Sequence, residues 1–344
     1  TEGSGRFFEK KLRKKRFPVW PGRALSRGER QGPWSLSLAI SRAKTLQDKS
    51  FFASFFSKKE ALRFLPTSRS HGGKMRSQHQ RAQGELQVRV GLRDGRTVLR
   101  DLRQQGCLKA RFPHPVGAHE TVTLNTSGGV AGGDRLESVL HVEAGACAVF
   151  ASQAAERFYR ALPGDPPAHV RTGLRVEAGA TAEWLPQESI LFDGCAVDRV
   201  LTIDMADDAR VLGVEALMFG RTAMGERVGH ARLSDTIRVR REGRLVLHDA
   251  IRIAGMADAL EAKAGLDGHR ASATVFCVAP DAEGRLEGLR AAWEAAPAET
   301  GASAWNGMLV ARILAPDAAR LRATLVMGLN QLRDGRAVPR VWMC

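Results

Sequence analysis

Apolar and polar residues alternate along Gly84–Gly91, placing Leu86, Val88 and Val90 on one face, the period-two mark of a half-buried strand. Arg93-Asp94-Gly95-Arg96 follows, with Asp-Gly at the centre of a predicted hairpin turn. The same device recurs as Arg241-Glu242-Gly243-Arg244 and as Arg333-Asp334-Gly335-Arg336, and the first two lead into Val98–Asp101 and Val246–Asp249. Strand-like Thr121–Leu124 and Ser138–Val142 flank a glycine-rich stretch, Ser127-Gly128-Gly129-Val130-Ala131-Gly132-Gly133-Asp134-Arg135, which reads as a tight crossing between strands. Beyond it a unit repeats. Val142-Glu143-Ala144-Gly145-Ala146 returns as Val176-Glu177-Ala178-Gly179-Ala180, and more weakly from Met205 to Val211.

Each unit reads as strand, turn and longer strand, and one such unit cannot bury its apolar face alone, so copies must stack. The expected fold is therefore mainly β, with stacked strand–turn–strand repeats of a β-helix-like, solenoid-sandwich kind. The pattern changes near the C-terminus. Arg285–Ala296 puts Leu286, Leu289, Ala292 and Trp293 on one helical stripe, and Asp317 can cap a second helix carrying Leu321, Leu325, Gly328 and Leu332. Gly307–Leu314 between them reads as a buried strand, and Val338–Trp342 as an edge strand or extended tail.

Charge divides the chain. Its formal net charge is +15, yet residues 1–74 hold 18 Lys+Arg against 5 Asp+Glu, and the remaining residues are almost balanced. Nine of the eleven lysines precede Met75, where the first methionine stands. Residues 1–74 are thus expected to lie outside the fold, as a disordered tail or a stretch upstream of a natural start at Met75, and residues 75–344 to form one β domain. A nucleic-acid-binding reading rests almost wholly on that first segment. No apolar run approaches the roughly 20 residues that cross a bilayer. The five cysteines are scattered and never paired as CxxC, which points to reduced thiols in a cytoplasmic protein. His114 and His119 read as surface residues of a loop.

The glycine-rich stretch lacks the lysine of a phosphate-binding loop, and Asp134 stands where phosphate would be repelled. No nucleophile–base set emerges. At corresponding ends of the repeats, however, Glu188, Asp193 and Glu215 lie among apolar neighbours, where an unpaired carboxylate is costly. Arg157, Arg221 and Arg227 are the candidate partners, and structural ion pairs are the commoner outcome. A β-solenoid enzyme acting on polysaccharide is the alternative from another class, and would need exposed aromatics beside paired carboxylates.

Several stretches together resemble the UreD (UreH) family of urease accessory proteins: Leu124–Leu136, Gln153–Tyr159, Glu183-Trp184-Leu185-Pro186-Gln187-Glu188 with Phe192-Asp193, Phe219-Gly220-Arg221 with Gly225-Glu226, and Pro339-Arg340-Val341-Trp342. The resemblance runs from about Gly84 to Trp342 and leaves residues 1–74 without a counterpart. It implies a non-catalytic chaperone with stacked strands and two helices. It further implies binding to urease apoenzyme on one side and to a UreF-like protein carrying the UreG-like GTPase on the other. Nickel is implied in transit through an internal passage, with no tightly bound cofactor. Oxygen ligands suit such transit, since thiolate or imidazole cages would trap the ion. Asp134, Glu188, Asp193 and Glu215 are the candidate passage residues. Neither nucleic acid nor membrane is an expected partner, and whether the chain forms a homodimer stays open.

Overall fold

The computed structural model describes residues 80–114, 117–221, 224–257 and 260–343. The expected segment 1–74 lies outside the described residues. The alternating run becomes strand β1 (Gln83–Arg93), which turns at Asp94 (φ 51°) and Gly95 (φ 72°) into the antiparallel β2 (Arg96–Gly106). Two left-handed residues in succession match the right-handed twist of the flanking strands. Strands β3 (Leu108–Arg111) and β4 (His119–Asn125) lead to the glycine-rich loop. That loop carries the chain from one sheet to another, because β4 and the next strand, β5 (Arg135–Val142), belong to different sheets.

The repeats then stack in register. β5, β8 (Ala168–Val176) and β11 (Ala196–Met205) pair in parallel, so Val142, Val176 and Met205, the first residues of the three copies, stand side by side. β6 (Cys147–Ser152), β9 (Thr181–Leu185) and β12 (Arg210–Phe219) do the same in the second sheet, through Cys147, Thr181 and Arg210. Short strands β7 (Glu156–Phe158) and β10 (Ser189–Leu191) pair in parallel with each other, and β10 with the far end of β12.

The fold is mainly β, but its sheets do not close into a solenoid. β12 runs as one ten-residue strand beside both β9 and β10, so the third copy lacks the break that would start another coil. The Glu242-Gly243 turn then reverses β13 (His230–Arg241) into antiparallel β14 (Arg244–Met256). Among the described residues, one sheet runs β14-β13-β11-β8-β5-β1-β2. The other continues from β12 through antiparallel β15 (Ala271–Val278) and β17 (Met308–Ala315) to β16 (Glu299–Trp305).

Burial follows the strand period. Leu86, Leu140, Leu174 and Ile203 from the first sheet meet Phe150, Phe219 and Phe276 from the second, filling the space between the sheets. Gly213 sits opposite Phe276, and a side-chain carbon there would lie 2.0 Å from the Phe276 ring, so only glycine leaves room. The far face of the second sheet forms a separate core with two helices, α1 (Leu286–Ala292) and α2 (Ala318–Leu332). Asp317 caps α2 as expected, accepting from the Arg320 N–H at 2.8 Å, and Leu321, Leu325, Gly328 and Leu332 are buried.

Two C-terminal expectations are corrected. Arg333–Arg336 is no hairpin. Asp334 (φ 56°) and Gly335 (φ 79°) end α2, with the Gly335 N–H reaching back to the Asn330 carbonyl at 2.8 Å. Left-handed residues serve a helix end and a hairpin equally, and the helix before them decides which. The tail is neither edge strand nor extended, because Arg340–Met343 forms a 3-10 turn that buries Trp342, whose Nε1–H donates to the Leu185 carbonyl at 3.0 Å.

Candidate functional site

The loop before β5 is built around Asp134. Gly129 takes φ 143°, and a side chain there would strike the Tyr159 ring at 2.3 Å, so the chain can fold flat against Tyr159 only with glycine. Asp134 is buried. Its Oδ1 accepts from the Ala82 N–H at 2.8 Å and its Oδ2 from the Ala131 N–H at 2.7 Å, tying the loop to the strand entry before β1.

Glu188 faces the helical layer, where Arg322 of α2 reaches it at 3.0 Å. The same guanidinium donates to Gln187 Oε1 and to the Trp342 carbonyl, so it joins the sheet, α2 and the C-terminal turn. Asp193 lies in the turn just after β10. Its Oδ1 accepts from the N–H groups of Gly229 and His230, both at 2.9 Å, and Arg160 pairs with Oδ2. The His230 N–H first of all, with Gly229 and Arg160 adding to it, holds this carboxyl below the usual aspartate range.

The expected arginines therefore serve elsewhere: Arg221 pairs with Glu226 and Arg227 with Glu261. Sequence spacing favours near neighbours, whereas the true partners of Glu188, Asp193 and Glu215 come from α2, from the loop after β7 and from β11. His119 is a further correction, since it is buried beside the Phe112 ring and not on the surface, while His114 is exposed as expected.

Glu215 has a different setting. It occupies an inward position of β12 between the two sheets and is buried. Arg199 of β11 pairs with it at 2.8 Å, holds Asp235 of β13 with two bonds of 2.9 and 2.6 Å, and also donates to Ser189 Oγ at 2.9 Å. Trp184 Nε1–H donates to the other Glu215 oxygen at 2.8 Å. Burial raises the Glu215 carboxyl above its ordinary value against the pull of Arg199, and Asp235 adds to the rise. Burial alone would lower Arg199, but Asp235 and Glu215 outweigh it and raise the guanidinium further. Beside this triad lies Asp249 of β14, bound by Arg312 of β17 at 2.6 Å and by the Thr274 hydroxyl at 3.2 Å. A small cavity there is lined by the polar side chains of Glu215, Asp235, Asp249, Ser272 and Thr274 and by Leu217, Ile237 and Ile251, with room for about one water.

The four sequence candidates thus occupy four separate settings and share no partner. Glu215 alone opens on this oxygen-lined space, with Asp235 and Asp249, which sequence reasoning missed. A signal existed. Arg199, Glu215 and Asp235 fall in phase with the apolar positions of their strands, as in Leu233-Ser234-Asp235-Thr236-Ile237, where a charge on the buried face is out of place. Among the described residues no group of three or more His, Cys, Asp or Glu side chains is placed to hold a metal ion.

The profile of the UreD urease accessory protein family matches residues 82–343. The chain belongs to the UreD family. It is 44% identical over 265 residues to the "Urease accessory protein UreD" of Azorhizobium caulinodans, covering 76% of this chain and 97% of that one. It is 45% identical over 269 residues to the protein of the same name from Dinoroseobacter shibae, covering 76% and 92%. This places the UreD-family chain in urease maturation. No helix of the described residues is long and apolar enough to cross a membrane. Cys107, Cys147, Cys195 and Cys277 are free, and burial pushes the Cys195 thiol up to about 12 and the Cys277 thiol to about 11. The carbohydrate-enzyme alternative finds no support. Among the described residues, Trp305 is the one exposed aromatic side chain, too few for a sugar groove.

Proposed function

We propose that this chain is a non-catalytic chaperone that docks urease apoenzyme, couples it to a UreF-like protein and the UreG-like GTPase, and lets nickel pass between its sheets. The observation that carries this reading is the oxygen-lined space at Glu215, Asp235 and Asp249. Three carboxylates face two guanidiniums, Arg199 and Arg312, so the cluster carries one uncompensated negative charge when all are ionised. A divalent cation is attracted to such a site. Oxygen ligands that are already hydrogen-bonded release it again, as transit needs and storage does not.

The other candidates take supporting roles in this reading. Asp134 anchors the glycine-rich loop, while Glu188 fastens the helical layer and Asp193 the entry to β13. The in-register parallel copies form a β-helix-like stack that keeps the passage walls rigid, and the free, inert thiols suit a reducing cytoplasm. Co-purification tests the proposal. With this chain present, urease apoenzyme and the UreF-like partner are expected in one complex, and without it they separate. Equal recovery of that complex and full urease activation without the chain would overturn the reading.

A further inference from the structure

The outer face of the seven-stranded sheet is polar, and over most of its width its charges are matched. Arg89 pairs with Glu143 at 3.0 Å, Arg103 with Glu85 at 3.3 Å, and Arg171 with Asp198. The β13–β14 hairpin breaks this pattern. Arg232, Arg238 and Arg240 of β13 share the outer face with His248 and Arg252 of β14, since Arg238 stands opposite His248 and Ser234 opposite Arg252. The hairpin strands' own acids, Asp235 and Asp249, both turn inward to the buried cluster. Among the described residues Arg238 and Arg252 have no ion-pair partner, and Arg232 reaches only the Asp165 carbonyl, at 2.9 Å. Arg240 faces Asp204 of β11. Burial first, then Arg238 and Arg252, push His248 below its ordinary value.

Neither strand carries an acid on this face to offset its guanidiniums, so ion pairing within the hairpin does not explain the arrangement. Edge protection covers only part of it. β14 is an edge strand, where charged side chains deter pairing with another chain, but β13 is flanked on both sides and needs no such guard. From Arg232 to Arg240 the strip runs roughly 26 Å at the usual strand rise, and it is two strands, roughly 10 Å, wide. Its inner border is β11, whose outer face carries Asp198 and Asp204. A nucleic-acid backbone laid wider than the strip would set phosphates against those acids.

We propose that the outer face of the β13–β14 hairpin, at Arg232, Arg238, His248 and Arg252, is the docking site for an acidic segment of a partner protein. The strip's width fits one extended or helical segment, and the Arg238 and Arg252 guanidiniums, without an ion-pair partner among the described residues, can each take a carboxylate in bidentate fashion. This inference stands on the surface charge alone and does not depend on the passage between the sheets.

The test uses the full chain and a fluorescein-labelled twelve-residue Glu/Asp-rich peptide, read by anisotropy at 50 mM NaCl without nickel. Arg238→Glu/Arg252→Glu is expected to weaken peptide binding at least about tenfold. Arg89→Glu/Arg103→Glu, on the same face but already paired, is expected to change it less than about twofold. The basic residues 1–74 contribute equally to all three proteins, so the difference between the two pairs is the readout. Arg238→Gln/Arg252→Gln, with an unchanged thermal melt, separates lost docking from lost folding and is expected to show an intermediate loss. No saturable binding by the unmodified chain, or equal losses in both pairs, overturns the proposal. A single-stranded DNA of equal charge that binds more tightly than the peptide and shows the larger loss assigns the strip to nucleic acid instead, and also overturns it.

Discussion

Replacing Arg199 with methionine tests the buried cluster most sharply as a structural unit. The substitution keeps an unbranched side chain of similar reach but removes the cation that satisfies Glu215 and Asp235. Four polar contacts of 2.6–2.9 Å go with it, three of them to carboxylates. Breaking a buried pair by deleting one partner costs about 3–5 kcal/mol, because a charge is left uncompensated. Here two carboxylates are stranded at 8% side-chain exposure each, so the upper half of that range is expected at pH 7. Without Arg199 the Glu215 carboxyl rises further, and an acid raised in the folded state binds more protons there than in the unfolded chain. The folded variant is then favoured as pH falls toward the unfolded glutamate value of 4.5 and penalised above it. Urea unfolding followed by tryptophan fluorescence at pH 7 and pH 5 reads both effects, with Trp184 a direct reporter through its bond to Glu215. The loss is expected to shrink at pH 5, by about 1.4 kcal/mol for each tenfold by which the folded state weakens the Glu215 acid. Adding Glu215→Gln and Asp235→Asn to the Met variant should restore most of the stability at pH 7. A loss below about 1 kcal/mol, or a larger loss at pH 5 than at pH 7, would refute the reasoning.

Three further outcomes are expected. Asp134→Asn should destabilise almost as much as Asp134→Ala, by about 1.5–3 kcal/mol in urea, because both oxygens accept backbone N–H bonds and an amide turns one acceptor into a clashing donor; an Asn variant as stable as the parent contradicts the anchoring role. Gly213→Ala should cost about 1–3 kcal/mol by crowding Phe276, and Phe276→Leu in the same chain should recover part of it, whereas additive losses would show that the two do not share one space. The purified chain should show no saturable GTP binding by calorimetry at micromolar nucleotide, since Lys109 and Lys263, the lysines after residue 74, lie outside any GxxxxGK context.

What the sequence could reveal depended on how local each cause is. The Asp94-Gly95 and Glu242-Gly243 hairpins and the Asp317 cap are set by neighbouring residues, and they form as expected. The repeated Val-Glu-Ala-Gly-Ala units carry the register of stacking, because identical side chains occupy identical places on the sheet. Closure was out of reach, since whether a strand breaks, as β9 does before β10, or runs on, as β12 does, depends on its neighbours across the sheet. The third left-handed pair, Asp334-Gly335, reads as a hairpin in sequence for the same reason: what lies around it decides its use. Ion-pair partners were the least legible. Arg322 reaches Glu188 across 134 residues, and Arg333 and Arg336 meet the buried Glu183 from about 150 residues away. The charges Arg199, Glu215 and Asp235, in phase with the apolar positions of their strands, left a mark that periodicity alone can find.

The nickel content of urease matured with a Glu215→Gln chain tests the central claim most directly. The amide keeps the shape of the side chain and an oxygen for the Trp184 N–H, and Arg199 retains Asp235, so the chain should fold and enter the maturation complex normally. The carboxylate that draws a divalent cation into the space between the sheets is gone. Metal analysis by plasma mass spectrometry on urease from such complexes, recovered in equal amount, should show nickel reduced severalfold, and further reduced when Asp249→Asn is added. Full nickel loading by both variants in normally assembled complexes would contradict the passage between the sheets.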